Sequence, residues 1–185
     1  WTSQEASEAA MFPAEISEDL SVADLRESED FLGRLSARSG NTSSWFESAL
    51  DCGAGVGRVA EGLLKTYAGS VDLVDGCQHL LCRAQSLYPG AKHFICKNLQ
   101  DLERPRATYN LIWIQWVLLY LTDDDIISLL RRCSTWLMVA GALVVKEHVL
   151  LGRSRGRLDS TVPSLNRSDD HFRALFQAAG LQMVA

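Results

Sequence analysis

"LDCGAGVGR" (residues 50–58) is the stretch on which the reading of this chain turns. A short apolar run enters Gly53, Gly55 and Gly57, and a helical pattern follows at once from Arg58. Glycines at such a turn permit positive φ and let backbone amides approach a ligand closely. The next apolar run, "VDLVD" (71–75), ends on Asp75, where an acidic side chain can hold two ribose hydroxyls. A lone glycine turn says little; placed between strand and helix, with an acid closing the following strand, it predicts a ligand-binding α/β sheet.

Working outward, the alternation continues. "SALDCG" reads as a first strand, Arg58 to Tyr67 as a helix, 71–75 as a second strand and Cys77 to Tyr88 as a helix with apolar 80, 81, 84 and 87. "KHFICKN" is a third strand and "YNLIWIQ" a fourth, whose continuous apolar run suits burial on both faces. Thr122 and Asp125 have capping-box spacing and open a helix carrying Ile126, Leu129, Leu130, Cys133, Trp136 and Leu137. Gly141 is expected to stop that helix, with "ALVVKEH" as a fifth strand. A helix near 169–179 and the start of a sixth strand, "LQMVA", close the chain. The acidic "TDDD" (122–125) is read as helix capping rather than as a substrate-binding patch.

Strand–helix alternation of this kind means an α/β fold, a doubly wound and mostly parallel sheet. It occupies 48–185, behind a short N-terminal helical segment in 1–47. There Val22, Leu25, Phe31, Leu32 and Leu35 can face one or two short helices, and "SARSGNTSS" (36–44) is a loop by composition.

With 185 residues, 47% of them apolar and 22% charged, the chain fits one soluble globular domain. It lacks an apolar run long enough to span a membrane, and its polar, acidic start shows no signal-peptide pattern. Five cysteines with no Cys-x-x-Cys pair fit reduced thiols in cytosol or nucleus, without a metal site. A net charge of −5 argues against nucleic-acid binding and leaves a basic protein or peptide as a partner. A monomer is expected.

Position 58 narrows the ligand. A dinucleotide turn needs a third glycine there, and this chain has Arg58. An arginine crowds a pyrophosphate but can pair with a ligand carboxylate in a fork. S-adenosylmethionine (SAM) carries a carboxylate and a ribose and no phosphate, so SAM is favoured over a nicotinamide cofactor. Gln115, the one amide between Trp113 and Trp116, then stands at the carboxyl end of the fourth strand, where open α/β sheets bind ligands. Trp113 is assigned to the core, Trp116 to the wall of a second pocket, and "NLQD" (98–101) to the neighbourhood of the adenine.

With these residues in place, the chain resembles the SAM-dependent alpha-N-terminal protein methyltransferases, which modify Xaa-Pro-Lys starts, over roughly residues 48–182. "LDCGAGVGR", "VDLVD", "LQD", "IWIQWV", "LTD", "LRRC" and "VVKE" carry the likeness. It implies a Rossmann-like class I methyltransferase that leaves S-adenosylhomocysteine as product. It implies cofactor roles for Gly53, Arg58, Asp75, Leu99, Gln100 and Gln115, and a peptide channel lined by Trp116 and by Tyr120, where family members often carry histidine. Asp159 falls where an acid helps receive the peptide's amine or lysine.

The chain departs from the family pattern in four places. Glu147-His148 stands where the family reads an acid followed by asparagine, and Val162 meets a second family aspartate. "AAMFPAEIS" (9–17) replaces a glycine-rich segment, and the last residue, Ala185, falls inside the expected sixth strand, leaving the antiparallel last strand beyond it. For transfer to an α-amine, whose pKa of about 7.7–8.0 makes one proton easy to remove, His148 and Asp159 are the candidate bases. Two other readings stay open on sequence alone: a methyltransferase for a small acceptor, and a non-catalytic SAM-binding subunit.

Overall fold

The computed structural model describes residues 18–38, 46–150, 157–159 and 164–184. Val162 and the "AAMFPAEIS" segment lie outside the described residues. The chain forms two compact units, Trp1–Asn98 and Leu99–Ala185.

The first unit opens with one continuous helix, α1 (Glu18–Arg38), in place of the one or two short helices expected. Its buried stripe is more polar than the apolar pattern implied. Ser21, Asp24, Ser28 and Leu32 are buried while Val22 is exposed. These buried positions recur at helical spacing, so they share one face. Three parallel strands follow, β1 (Ala49–Cys52), β2 (Val71–Asp75) and β3 (His93–Cys96), with β2 in the middle. Leu50, Val71, Leu73 and Val74 are fully buried.

The crossover from β1 to β2 is a π-turn, Ala60–Leu64, running into α2 (Lys65–Tyr67). A π-turn widens the helix by one residue, a device that recurs at functional sites. Gly62 lies within it, and a Cβ there would come 2.5 Å from Leu25 Cδ1, so glycine is what lets α1 pack this closely. The return crossover is α3 (Gln78–Leu87), which buries Leu80, Leu81 and Ala84.

In the second unit β4 (Tyr109–Gln115) and β5 (Leu137–Lys146) pair in parallel around the crossover helix α4 (Asp123–Trp136). Leu111, Ile112, Trp113 and Ile114 are successive and buried, as two covered faces require. Thr122 caps α4 by accepting a hydrogen bond from the Asp125 amide at 3.2 Å. Gly141 does not end the helix. Leu137 already turns extended (φ −69°, ψ 139°) and opens β5, so Met138 to Gly141 form an irregularity inside the strand, where the register jumps from Tyr109↔Leu137 to Leu111↔Ala142. A Cβ at Gly141 would sit 3.0 Å from the Met138 carbonyl oxygen, which is why glycine occupies the bend.

Beyond β5 lie three strands that the sequence pattern did not signal. They are β6 (Val149–Leu150), β7 (Arg157–Asp159) and β8 (Ser164–Ser168), ordered β6-β8-β7 with β7 antiparallel to β8. Helix α5 (Asp169–Ala178) follows, capped by Ser168. The expected sixth strand is corrected here: Leu181 to Val184 form no strand. Among the described residues no helix is long and apolar enough to cross a membrane.

Candidate active site

In the first unit the glycine turn is built as the motif predicts. Gly53, Gly55 and Gly57 have φ of 76°, 55° and 83°, the left-handed region that glycine enters without steric cost. The Asp75 carboxylate braces it, taking the Gly55 amide on Oδ2 at 2.9 Å and the Cys77 amide on Oδ1 at 2.8 Å. Each oxygen retains a lone pair after these bonds, so the carboxylate can still receive a pair of ribose hydroxyls. Burial raises its pKa against the lowering effect of those two amides. Arg58 leaves the turn at the start of the helix, buried, with Nη1 2.8 Å from Asp24 Oδ2 of α1. A carboxylate therefore already faces the guanidinium that sequence reasoning offered to a ligand carboxylate.

Asp51 in β1 was missed. It is 2% exposed, its Oδ2 makes no hydrogen bond, and burial raises its pKa to about 7, against Arg58, which lowers it, and with Asp75 adding to the rise. The sign follows from linkage. A carboxyl with a folded pKa above its unfolded value binds its proton more tightly when folded. Its stabilising contribution is thus complete below about pH 4 and is lost as pH rises through 7. Asp51→Asn, measured without ligand, is expected to flatten the fall in thermal midpoint between pH 5 and 8, raising the pH 8 midpoint by on the order of 5 °C. Parallel pH profiles for variant and parent would remove Asp51 as the titrating group.

In the second unit the carboxyl end of β4 gathers the other predicted residues. Gln115 is buried, and its Oε1 accepts a hydrogen bond from Trp113 Nε1 at 2.9 Å. Residues two apart in a strand share a face, so the lone amide and the core tryptophan orient each other. Trp116, the next residue, has φ 54°, a backbone state that costs on the order of 1–3 kcal/mol in a bulky residue and marks functional positions. Its ring stacks on His148 with centroids 5.1 Å apart and planes 13° from parallel. His148 is exposed, and Tyr120 is 36% exposed on a short 3-10 turn, Leu118–Tyr120. Burial and the Glu147 charge both raise the Tyr120 pKa, so its hydroxyl stays protonated as a donor at neutral pH.

The structure thus brings Gln115, Trp116 and Tyr120 to one strand end and its following turn, with His148, just beyond β5, stacked on Trp116. Asp159 is placed only by its backbone, at the end of β7 opposite Ser164. Leu99 is buried and Gln100 exposed on the 3-10 turn Leu99–Asp101. The "LRRC" motif now has a physical reason. Arg132 Nη2 donates to the Leu99 carbonyl at 2.8 Å and Nη1 to that of Leu102, fixing the turn, while Cys133 is buried in the core. All five cysteines are free thiols.

Sequence reasoning also missed Glu147 and Arg167. Glu147 Oε1 accepts from the amides of Val117 at 2.8 Å and Leu118 at 2.7 Å, and burial pushes its carboxyl up to about 7. Arg167, 0% exposed, donates to the carbonyls of Leu118 at 3.0 Å and Leu121 at 2.7 Å and to Asp123 Oδ1 at 2.8 Å. Only the acid at 147 left a trace in the sequence, as the last letter of "VVKE".

Known structures place this architecture in a class. A SAM-dependent methyltransferase of Leishmania major superposes over 100% of this chain and 72% of its own, with a TM-score of 0.89 and 29% identity. The phosphoethanolamine N-methyltransferase 1 of Haemonchus contortus shares the fold alone, at 18% identity and a TM-score of 0.62 over 90% of this chain and 42% of its own. The fold is the Rossmann-like one of class I SAM-dependent methyltransferases. The model of the AdoMet dependent proline di-methyltransferase family matches residues 1–185, and the chain belongs to that family. N-terminal Xaa-Pro-Lys N-methyltransferase 1 of Xenopus tropicalis is 36% identical over 171 residues, 90% of this chain and 75% of the relative.

Proposed function

We propose that this chain transfers methyl groups from SAM to the α-amine of protein N-termini of the Xaa-Pro-Lys type. The observation that carries the reading is the end of β4. There a tryptophan held at positive φ stacks on His148, directly after the buried amide of Gln115. A half-buried, strained aromatic at the carboxyl end of a parallel strand is costly as structure and useful as a wall for a proline ring.

Gly53, Arg58 and Asp75, and in the second unit Leu99, Gln100 and Gln115, serve the cofactor in this reading. The fit is chemical. A turn of three glycines at positive φ, with no side chains to block close approach, and a carboxylate with spare lone pairs suit a ribose. Bound there, SAM would supply a sulfonium-bound methyl, the sulfur retaining the carbon–sulfur bonding pair and S-adenosylhomocysteine being the product.

The residues of this chain supply binding and proton management. Trp116 and Tyr120 receive the proline and orient the amine, which brings much of the rate by alignment. The attacking amine must be neutral, and His148, or Asp159, takes the proton it gives up. Basic protein N-termini are the partners, met in cytosol or nucleus by a monomer that engages neither nucleic acid nor membrane.

The test is mass spectrometry of a Ser-Pro-Lys peptide incubated with SAM, alongside the same peptide acetylated at its amine. Methyl gain on the free peptide alone supports the reading; gain on neither, with SAM binding confirmed, overturns it in favour of another acceptor or a non-catalytic subunit. Within a turning-over enzyme, His148→Asn is expected to abolish the rise of kcat/KM with pH through the imidazole range. A pH–rate profile superimposable on the parent's would exclude His148 as the base.

A further inference from the structure

The turn between β4 and α4 is gripped from both sides. On one side the Glu147 carboxylate takes two consecutive amides, Val117 and Leu118, on a single oxygen. On the other, the Arg167 guanidinium spans the Leu118 and Leu121 carbonyls. The Leu118 residue is therefore held by a carboxyl oxygen at its N–H and by a cation at its C=O. A 3-10 turn has poor internal hydrogen-bond geometry. Here its weak bonds, Tyr120 amide to Val117 carbonyl and Leu121 amide to Leu118 carbonyl, each 3.1 Å, are supplemented by side chains from β8 and from the residue after β5.

What the grip positions is specific. Val117 directly follows Trp116, and Glu147 directly precedes His148, so the Glu147–Val117 hydrogen bond ties together the neighbours of the two stacked rings. Nothing in the local sequence favours a left-handed tryptophan. The residue keeps φ 54° because both its flanks are tied: its own amide donates to the Lys146 carbonyl at 3.0 Å, and the next amide is bound by Glu147.

We propose that Glu147 is a positioning residue for the acceptor wall: its carboxylate, by holding the Val117 and Leu118 amides, fixes Trp116 against His148 and sets the turn that carries Tyr120. The inference rests on the reading of those rings as the peptide-binding wall. The same geometry predicts which binding event is spared. Gln115 is kept by other means, in register with Lys146 within the β4–β5 pair and bonded to Trp113, so the cofactor side does not depend on Glu147.

The experiment compares Glu147→Ala, Glu147→Gln and the parent with a Ser-Pro-Lys peptide, and measures SAM binding separately by calorimetry. Glu147→Ala removes the acceptor and is expected to raise the peptide KM by on the order of 10-fold or more, with the SAM Kd unchanged within about twofold. Glu147→Gln keeps an acceptor oxygen for the two amides and is expected to restore KM to within about threefold of the parent. Amide exchange at Val117 and Leu118 should quicken in the alanine variant alone. Unchanged peptide KM in Glu147→Ala, or equal losses of peptide and SAM binding, or failure of glutamine to rescue, overturns the positioning role. If the parent itself methylates no peptide, the acceptor-wall reading fails instead, and that is seen before any variant is compared.

Discussion

Arg167→Met is expected to cost about 3–5 kcal/mol of folding stability, the largest loss from any single substitution considered. The side chain is fully buried, and its donors are spent on Leu118, Leu121 and Leu165 carbonyls and on Asp123. Methionine fills much of the same volume, so the loss is not a cavity effect. It comes from carbonyl oxygens that lose hydrogen bonds from a charged donor, each worth about 1.5–3 kcal/mol, with the Leu118 oxygen keeping only the Leu121 amide at 3.1 Å. Asp123 contributes less, because its side chain is 43% exposed and keeps His171 Nε2 at 2.8 Å. Burial alone would raise the Asp123 pKa, but Arg167 and His171 together hold it below its ordinary value. The stability from that pairing is therefore present above the unfolded pKa and lost as pH falls through the folded one. Urea unfolding at neutral pH checks the prediction. A loss under about 1 kcal/mol would mean that water replaces the guanidinium at these carbonyls, and the turn would then be held from the Glu147 side alone.

What the sequence made legible was whatever depends on local pattern. The bounds of β4, the Thr122 cap and the glycine turn braced by Asp75 each follow from a rule acting over a few residues: a doubly buried strand, a capping box, a positive-φ loop with an acid about twenty positions on. What escaped depends on tertiary burial. Gly141 looked like a helix stop, yet the helix ended when Leu137 paired with Tyr109, a contact no local rule encodes. The β7–β8 pair has no alternating pattern because Asn166 and Arg167 sit where apolar residues would have announced a strand. Arg167 reads as a surface arginine until four hydrogen bonds account for it, and the Ala60–Leu64 π-turn has no signature in composition. Arg58 shows the converse. Its type was rightly singled out, but only the fold reveals Asp24 beside it, supplied by a helix whose buried face is mostly polar.

Asp75→Ala is expected to weaken SAM binding by on the order of 100-fold or more and to lower stability as well. Two losses combine. The ribose hydroxyls lose their acceptor, and the Gly55 and Cys77 amides, now bound at 2.9 and 2.8 Å, lose theirs. The second loss matters for the first, since the Gly55 amide orients a turn whose glycines sit at positive φ and have no side chains to fix them. Asp75→Asn separates the two. Its single carbonyl oxygen can brace one amide, while its NH2 group opposes the other donor instead of accepting from it. It should therefore retain part of the affinity and lose less stability than alanine. Calorimetric titration with SAM, paired with thermal unfolding without it, gives both quantities. Weakened SAM binding with an unchanged unfolding midpoint would assign Asp75 to the ligand and leave the turn to its backbone bonds, Gly53 and Ala54 amides to the Val74 carbonyl. Unchanged SAM binding would remove Asp75 from the cofactor site, and with it the main reason for reading "LDCGAGVGR" and "VDLVD" as one ligand-binding device.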